Sequence, residues 1–332
     1  MMMHHDVKKY AIVADIGGTF ARFSRVNLVN LQIDKIEIYP CAGFISLEAV
    51  LMTYQAQHLL QEIKQLAIAI ACPVIGDSIC MTNCRWSFSI QELKYNLGLA
   101  ELIVVNDFNA IAMSLPALSA EELVQIGGGT PDVNKTRVVL GAGTGLGLAY
   151  LIPNQHLYTA YSGEGGHADW GAKTEQEWFI HRFLKNIYTH VSYERLLSGH
   201  GLENLYKAVA AFQSKETSPL PAADVISLAV NQECTIAQTA VSQFFSCLGT
   251  FAGDLALSFG AFGGIYIAGG IVPRLLPLIH RSDFRAQFEN KGRFKDFNAQ
   301  IPTYVVTAAQ PGILGAAVTL QQYLHGAFDV VS

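Results

Sequence analysis

The first apolar run of the chain leads into a glycine turn and a second run of strand type. Residues 10–15 read Tyr-Ala-Ile-Val-Ala-Asp, a pattern typical of a buried strand. The run stops at Gly17-Gly18-Thr19, and a strand pattern resumes over residues 21–26. The pattern therefore predicts two strands joined by a tight glycine turn.

Helical and strand patterns then alternate along the chain. Residues 47–65 have a helical period, and residues 66–71 form an apolar run of strand type. A helix is predicted around residues 90–97, and a strand over 101–105 that ends at Asn106-Asp107. This alternation indicates an α/β layer, and polar residues at the end of a strand are where such folds place their chemistry.

A second strand-turn-strand unit repeats the first one. Strands are predicted over residues 136–140 and 146–152, with the glycine-rich segment 141–145 between them. This echo predicts two related α/β halves that face each other across a cleft. The later pattern predicts helices over residues 174–190, 193–197, 202–211, 237–259 and 313–324, and a strand over 265–268 that runs into Gly269-Gly270.

Composition narrows the class of protein. The 332 residues are 51% hydrophobic, enough for a sizeable core, and the length suggests two domains. Only 15% are charged and the net charge is -5, so no basic surface for nucleic acid is expected. The six cysteines have no paired C-x-x-C spacing and are interpreted as reduced core thiols rather than metal ligands.

Neither export nor membrane insertion is predicted. Residues 1–9 are polar and lack an apolar signal core, so a cytoplasmic protein is expected. The most apolar long stretch, residues 239–262, is interrupted by Gln243, Ser246 and Asp254. That pattern favours a buried helix over a membrane span.

The first glycine turn carries a carboxylate at its start. Asp15 ends the strand, Gly17 and Gly18 are able to adopt positive φ, and Thr19 adds a hydroxyl. Such a turn can bring backbone N–H groups to phosphate oxygens, with Asp15 orienting magnesium through water. A plain hairpin turn is the alternative that these residues leave open.

The second glycine turn, residues 141–147, is denser and also suits phosphate. A dinucleotide-binding fingerprint is disfavoured, because Leu146 stands at its sixth position and a strand follows rather than a helix. The chain also lacks the G-x-x-x-x-G-K-[ST] pattern of P-loop enzymes.

Three further motifs contain candidate chemistry. Asp107 is placed to accept a hydroxyl proton during phosphoryl transfer, although Asn106-Asp107 alone reads more readily as a helix cap. Glu164 and His167, set among glycines, suit neighbouring hydroxyls of a polyol, with a metal-bound or structural histidine as the alternative. Gly269-Gly270 would let a flat base and ribose lie close to the backbone.

Taken together, these motifs closely resemble those of the bacterial glucokinase family. The resemblance is carried in order by Ala14-Asp15-Ile16-Gly17-Gly18-Thr19, Val105-Asn106-Asp107-Phe108, residues 141–147, Gly163-Glu164-Gly165-Gly166-His167, His190-Val191-Ser192-Tyr193-Glu194-Arg195 and Ile267-Ala268-Gly269-Gly270-Ile271-Val272-Pro273-Arg274. It spans residues 10–324 and implies an α/β, two-lobed actin-like ATPase (ribonuclease H-like) fold with an interlobe cleft. The implied lobes are residues 1–115 with 308–332, and residues 116–307.

The resemblance also implies a role for each matching residue. It implies an ATP- and Mg²⁺-dependent kinase that phosphorylates glucose, with Asp107 as the base toward the C6 hydroxyl. The sugar would be bound by Asn106, Asp107, Glu164, His167 and Glu194, and the nucleotide by Ala14, Asp15, Ile16, Gly17, Gly18, Thr19, Gly143, Thr144, Gly145, Gly269 and Gly270. Asp15 would hold magnesium through water. Glu194 rests on the resemblance alone, since Tyr193-Glu194-Arg195 otherwise reads as a solvated helix face.

The sequence departs from the family pattern at one position and leaves three alternative functions open. The family usually has Asn where this chain has Phe20, which puts the packing of the first hairpin and the hold on nucleotide in doubt. The rivals are a kinase for another hexose or amino sugar, a sugar-sensing regulator, and a paralogue that binds without turnover. A related family with a zinc-binding cysteine cluster is excluded, because no Cys lies between Cys84 and Cys234. The family resemblance also implies a homodimer.

Overall fold

The structure is a computed structural model that describes residues 9–81, 84–155 and 157–325. Its strands, in chain order, are β1 (Tyr10–Ile16), β2 (Phe20–Asn27), β3 (Ile33–Pro40), β4 (Gln65–Ile70), β5 (Ser78–Cys80), β6 (Ser87–Ser89), β7 (Glu101–Asn106), β8 (Leu123–Gln125), β9 (Arg137–Ala142), β10 (Leu146–Asn154), β11 (Leu157–Gly163), β12 (Ile265–Ala268) and β13 (Thr303–Val306). Its α-helices are α1 (Leu47–His58), α2 (Ile90–Asn96), α3 (Asp107–Ser114), α4 (Glu175–Lys185), α5 (Gly199–Phe212), α6 (Ala222–Val230), α7 (Thr235–Phe259), α8 (Leu276–Ile279), α9 (Phe284–Glu289), α10 (Lys295–Ala299) and α11 (Pro311–Leu324).

The described residues fall into two compact units. The first comprises the described residues up to Leu118, Asn154–Ser162 and those from Ala308 onward; the second comprises Ser119–Pro153 and Gly163–Thr307. The larger lobe implied by the family resemblance, residues 116–307, includes the segment 154–162, which groups here with the first unit. In that unit the Tyr158 N–H donates to Gln322 Oε1 of α11 at 2.9 Å.

The sheet of the first unit brings the predicted polar strand ends to one edge. Its order is β3-β2-β1-β4-β7, with β1 parallel to β4 and β4 parallel to β7. Ile16 pairs with Ile70, and Ile70 pairs with Asn106. Because parallel strands end at the same edge, Asp15 near the end of β1 and Asp107 directly after β7 lie at the same edge of the sheet, with β4 between the two strands.

Helices α3 and α11 pack closely against each other in this unit. Ile313, Ala316, Ala317 and Leu320 of α11 are fully buried in one cluster with Ala110 of α3. A Cβ at Gly315 would lie only 1.6 Å from the carbonyl oxygen of Ala110. The absence of a side chain at Gly315 therefore sets how close these two helices come.

The six-stranded sheet, whose strands other than β11 lie mainly in the second unit, repeats the strand order of the sheet of the first unit. Its order is β11-β10-β9-β12-β13-β8. The β9–β10 pair is antiparallel, as is β1–β2, and β12 is parallel to both β9 and β13, as β4 is to β1 and β7. The predicted internal echo is confirmed, since the two glycine turns occupy equivalent hairpins.

Three of the predicted helices are shorter than expected. The helix predicted over residues 47–65 ends at His58, after which Leu59 adopts a left-handed conformation. The helix predicted over residues 174–190 ends at Lys185, and residues 193–197 form a single 3-10 turn, Tyr193–Arg195. Between them the backbone is held by the 168–170 segment: the Trp170 N–H donates to Val191 O, and the Tyr193 N–H donates to Ala168 O. These tertiary hydrogen bonds occupy backbone N–H and C=O groups that a continuous helix would pair within itself.

Among the described residues, only α7 is long and apolar enough, by length and composition, to cross a membrane. Of the 18-residue window that meets this criterion, 78% is buried inside the protein. Phe244, Leu248 and Ala252 of this helix are fully or almost fully buried in the core of the second unit, so α7 is its central helix.

Candidate active site

The first glycine turn is a tight hairpin whose glycines do not use positive φ. The Gly17 N–H donates to Phe20 O at 3.0 Å, which closes the turn between β1 and β2. The predicted reason for glycine is wrong at Gly17, whose φ is not positive and where a Cβ would meet Phe20 O at an ordinary 3.5 Å. Phe20 itself is 46% exposed at the start of β2. The Gly17 N–H is therefore used to close the turn.

Asp15 lies at the end of β1 against the first turn of α11. Its carboxylate is 3.3 Å from Arg22 Nη1, and a Cβ at Gly312 would lie 3.2 Å from Asp15 Cγ. Burial raises the pKa of Asp15, and Arg22 opposes that rise. Arg22 was not singled out from the sequence, because only the pairing of Asp15 with Arg22 across β1 and β2 brings them together.

Asn106 is the N-cap of α3, so the helix-cap interpretation is confirmed for this residue. Its Oδ1 accepts hydrogen bonds from the N–H groups of Phe108 and Asn109 at 3.0 and 3.3 Å. Its amide nitrogen donates to Asp107 Oδ1 at 2.9 Å and to Cys72 O at 3.3 Å. Asn106 therefore both begins the helix and orients the neighbouring carboxylate.

Asp107 has the protonation behaviour of a general base. Burial raises its pKa to about 6, and the nearby Asp15 carboxylate adds to the rise, while hydrogen bonds from the Phe108 N–H and Asn106 oppose it. Both of these bonds end on the same oxygen, Oδ1. A carboxylate with a pKa near 6 is ionised at neutral pH and yet basic enough to accept a proton in a transition state.

Three of the predicted sugar-binding residues come together in the second unit. His167 Nε2 lies 4.0 Å from Glu164 Oε2 and 4.0 Å from Glu194 Oε1. The side chains of Glu164 and His167 are 77% and 59% exposed, whereas that of Glu194 is 24% exposed. Two carboxylates and an imidazole that remain accessible can accept and donate hydrogen bonds to adjacent hydroxyl groups.

Glycines allow this cluster to lie directly on β10. A Cβ at Gly166 would be 2.4 Å from Leu146 O, and one at Gly165 would be 2.6 Å from Leu148 Cδ2. The 3-10 turn Gly165–His167 therefore lies beside the strand that follows the second glycine turn. The glycines of this motif have a packing reason besides the access to a polyol that the sequence predicted.

Side-chain hydrogen bonds hold the backbone around Glu194 in place. The Tyr193 hydroxyl donates to Asp254 Oδ2 at 3.1 Å, and Asp254 Oδ1 accepts from Lys291 Nζ at 2.6 Å. Ser198 Oγ donates to the Glu194 carbonyl at 2.8 Å. Asp254 was treated in the sequence only as an interruption of an apolar run, so its role in holding this turn was missed.

Two of the three glycine motifs predicted to bind nucleotide are neighbours in the second unit. Gly269 has a φ of 86°, and a Cβ there would lie 2.5 Å from Ala142 O at the end of β9. The Ile271 N–H donates to that same carbonyl at 3.3 Å. Residues 269–270 therefore lie beside the turn that contains Gly143, Thr144 and Gly145.

Within the described part of the chain, no group of three or more His, Cys, Asp and Glu side chains is arranged to hold a metal ion. Cys41, Cys72 and Cys247 are buried free thiols, and burial raises the pKa of each.

Comparisons with known proteins identify the family of this chain. A sequence model of the glucokinase family matches residues 12–323. A glucokinase of Erwinia tasmaniensis is 46% identical over 316 residues, which cover 95% of this chain and 98% of that protein. The chain belongs to the glucokinase family. Family membership confirms the resemblance that the ordered motifs carried.

Solved structures give the fold. A glucokinase from an Antarctic psychrotroph matches with a TM-score of 0.86 and 35% identity, covering 95% of this chain and 99% of that one. A ROK family glucokinase from Streptomyces griseus, solved in complex with glucose and AMPPNP, matches with a TM-score of 0.64 and 18% identity over 94% and 99% of the two chains. The predicted actin-like ATPase fold of the family is thereby confirmed.

Proposed function

We propose that this chain is a glucokinase, transferring the γ-phosphoryl group of ATP to the C6 hydroxyl of glucose to give glucose 6-phosphate and ADP. The observation that carries the chemistry is Asp107, a partly buried carboxylate directly after β7 with a pKa of about 6. The choice of glucose as acceptor is supported by membership of the glucokinase family.

In the proposed reaction, Asp107 accepts the proton of the C6 hydroxyl as that oxygen bonds to the γ-phosphorus. The bond between the γ-phosphorus and the bridging oxygen of ADP breaks, and ADP leaves. Phosphoryl transfer demands mainly positioning and neutralisation of charge, so one well-placed base is sufficient. Asn106 supports this step by holding Asp107 Oδ1.

We assign sugar binding to Glu164, His167 and Glu194, in addition to Asn106 and Asp107. The first three converge within 4.0 Å contacts and keep accessible polar atoms. Asn106 Oδ1 already accepts two backbone N–H groups. We therefore assign to Asn106 mainly the orientation of Asp107 rather than several sugar contacts.

Nucleotide binding falls to the glycine motifs of the two units. We assign the turn at residues 14–19 and the turn containing Gly143, Thr144 and Gly145 to the phosphates, and Gly269-Gly270 to the adenosine. Asp15 orients the magnesium of Mg-ATP through water, as suits an ion that retains most of its hydration. Its proximity to the first turn of α11 and to Arg22 supports this placement.

We further propose, on the basis of family membership, that the enzyme is a cytoplasmic homodimer that catalyses the first step of glycolysis. Size-exclusion chromatography with light scattering tests the dimer directly, and a monomer at micromolar concentration contradicts it.

A substrate panel tests the proposed function. Purified protein with Mg-ATP is assayed by coupled ADP release on glucose, mannose, fructose and N-acetylglucosamine, and glucose is expected to have the highest kcat/KM by about tenfold or more. A sugar with differently placed hydroxyls leaves hydrogen-bonding groups of the site without partners, which lowers its kcat/KM relative to glucose.

Two other outcomes of this assay would favour one of the alternative functions. Preference for another sugar leaves a hexose kinase but removes glucose as its acceptor. Binding of glucose by calorimetry without phosphorylation of any sugar contradicts the enzyme and favours a sensor or an inactive paralogue.

A further inference from the structure

The carboxylate of Glu194 has a different neighbour on each oxygen. Oε1 is the atom that lies 4.0 Å from His167 Nε2, within the sugar cluster. Oε2 accepts a hydrogen bond at 2.9 Å from the backbone N–H of Leu146, which directly follows the second glycine turn. One side chain therefore belongs to the sugar cluster and is also held by the turn assigned to nucleotide.

Gly145 supplies the space for this contact. A Cβ at Gly145 would lie 2.6 Å from Glu194 Oε2 and 3.5 Å from its Cδ. The φ of Gly145 is not positive, so its backbone conformation is open to any residue. Glycine is required here because the carboxylate occupies the position of a side chain.

The same contact limits which amides of the turn are left for phosphate. The Gly143 N–H donates to Gly145 O at 2.8 Å, and the Leu146 N–H is taken by Glu194. Phosphate contacts from this turn therefore fall to Thr144 and Gly145. The turn therefore has two functions: Thr144 and Gly145 are left for phosphate, and the Leu146 N–H at its carboxyl-terminal end binds the Glu194 carboxylate.

We propose that Gly145 and Leu146 are positioning residues for Glu194, so that the second glycine turn helps to set sugar affinity even when no nucleotide is bound. This inference rests on the proposed function, in which Glu194 binds a sugar hydroxyl. The Leu146 N–H fixes the direction of the carboxylate, and the absence of a side chain at Gly145 allows Glu194 to reach that N–H. A turn that served phosphate alone would leave the sugar affinity of nucleotide-free protein unchanged.

Gly145→Ala tests the inference. The new methyl group must displace the Glu194 carboxylate, which is the movable end of a side chain, so the fold is expected to persist. Glucose binding is measured by calorimetry on nucleotide-free protein, with thermal unfolding to verify folding. Since a hydrogen bond to a charged group typically contributes a factor of about ten to one hundred, glucose Kd is expected to rise by that factor.

A double-mutant cycle with Glu194→Ala separates this role from a general disturbance. Once the carboxylate is absent, adding Gly145→Ala is expected to change glucose Kd by less than about twofold. Gly171→Ala is the matched control, because a Cβ there meets nothing within 4 Å, and glucose Kd is expected to stay within about twofold of the parent. Glu194→Asp gives a second route if Gly145→Ala does not fold: the shorter side chain cannot reach Leu146, and glucose affinity is expected to fall although the charge is kept.

The results distinguish failure of the inference from failure of the proposed function. If Glu194→Ala weakens glucose binding but Gly145→Ala and Glu194→Asp do not, the positioning role is wrong and the sugar role of Glu194 stands. If Gly145→Ala weakens binding equally in both backgrounds, it acts other than through Glu194, and the inference is overturned. If Glu194→Ala itself binds glucose as the parent does, the sugar role of Glu194 and the inference fail together.

Discussion

Asp107→Asn is expected to lower kcat by about 100- to 10 000-fold while glucose still binds, because removal of a general base has an effect of that size. Asparagine keeps the shape of the side chain and an oxygen that can accept the Phe108 and Asn106 hydrogen bonds, so the substitution removes the negative charge and the ability to take a proton. Steady-state turnover with Mg-ATP gives kcat, and calorimetry gives glucose affinity.

Asp224→Asn is the matched control for this variant. Asp224 is also an acidic residue in the first turn of a helix, but it is exposed on α6. A kcat close to that of the parent is expected. If Asp107→Asn retains more than about a tenth of the parent kcat, the assignment of Asp107 as base is contradicted.

The pKa of Asp107 also predicts two pH dependences. Activity that requires the ionised carboxylate is expected to fall as pH drops through about 6. The folded pKa lies above the ordinary value of 3.8, so the folded chain binds more protons than the unfolded chain between these two values. The ionised carboxylate therefore destabilises the fold, fully so above about pH 6.

Asp107→Asn is accordingly expected to raise the free energy of unfolding at pH 7 by on the order of 1–2 kcal/mol, with no gain at pH 3.5. Denaturant unfolding at several pH values measures this difference. A variant that is more stable yet far slower would show that the carboxylate is kept for chemistry; a variant that is less stable at pH 7 contradicts the account of its environment.

Gly315→Ala is expected to destabilise the first unit by about 3 kcal/mol or more. Alanine has a higher helix propensity than glycine by up to about 1 kcal/mol, which alone would stabilise α11. The new Cβ would lie 1.6 Å from Ala110 O, however, so α3 and α11 must move apart. Since the backbone of α3 cannot yield as a side chain does, the clash outweighs the gain, and a fall in Tm of roughly 10 °C is expected.

Gly43→Ala is the control for this prediction, because its Cβ would meet Pro40 Cγ at an ordinary 3.6 Å in the same unit. Its Tm is expected to stay within a few degrees of the parent. Because α3 begins at Asp107 and α11 packs on Asp15, Gly315→Ala is also expected to lower kcat. A Tm at or above that of the parent would show that the helices separate without cost.

The sequence by itself determined the elements whose residues lie close together along the chain. Apolar runs predicted β1, β4 and β12, and the glycine turns after β1 and β9 revealed the internal repeat. Asp107 could be singled out because a polar pair at the end of a buried strand is a local pattern. The order of several motifs then indicated the family, which no single motif could do.

Only the tertiary structure explains why several residues occupy their positions. Glu194 meets Leu146, which is 48 residues away in the chain, and no local period predicts that contact. The glycines at 145, 166 and 315 are explained by the atoms that would meet a Cβ rather than by φ. Local patterns report propensity and burial, whereas the space beside a residue depends on chain segments that return from far away. For that reason the chemistry could be anticipated from the sequence, and its positioning could not.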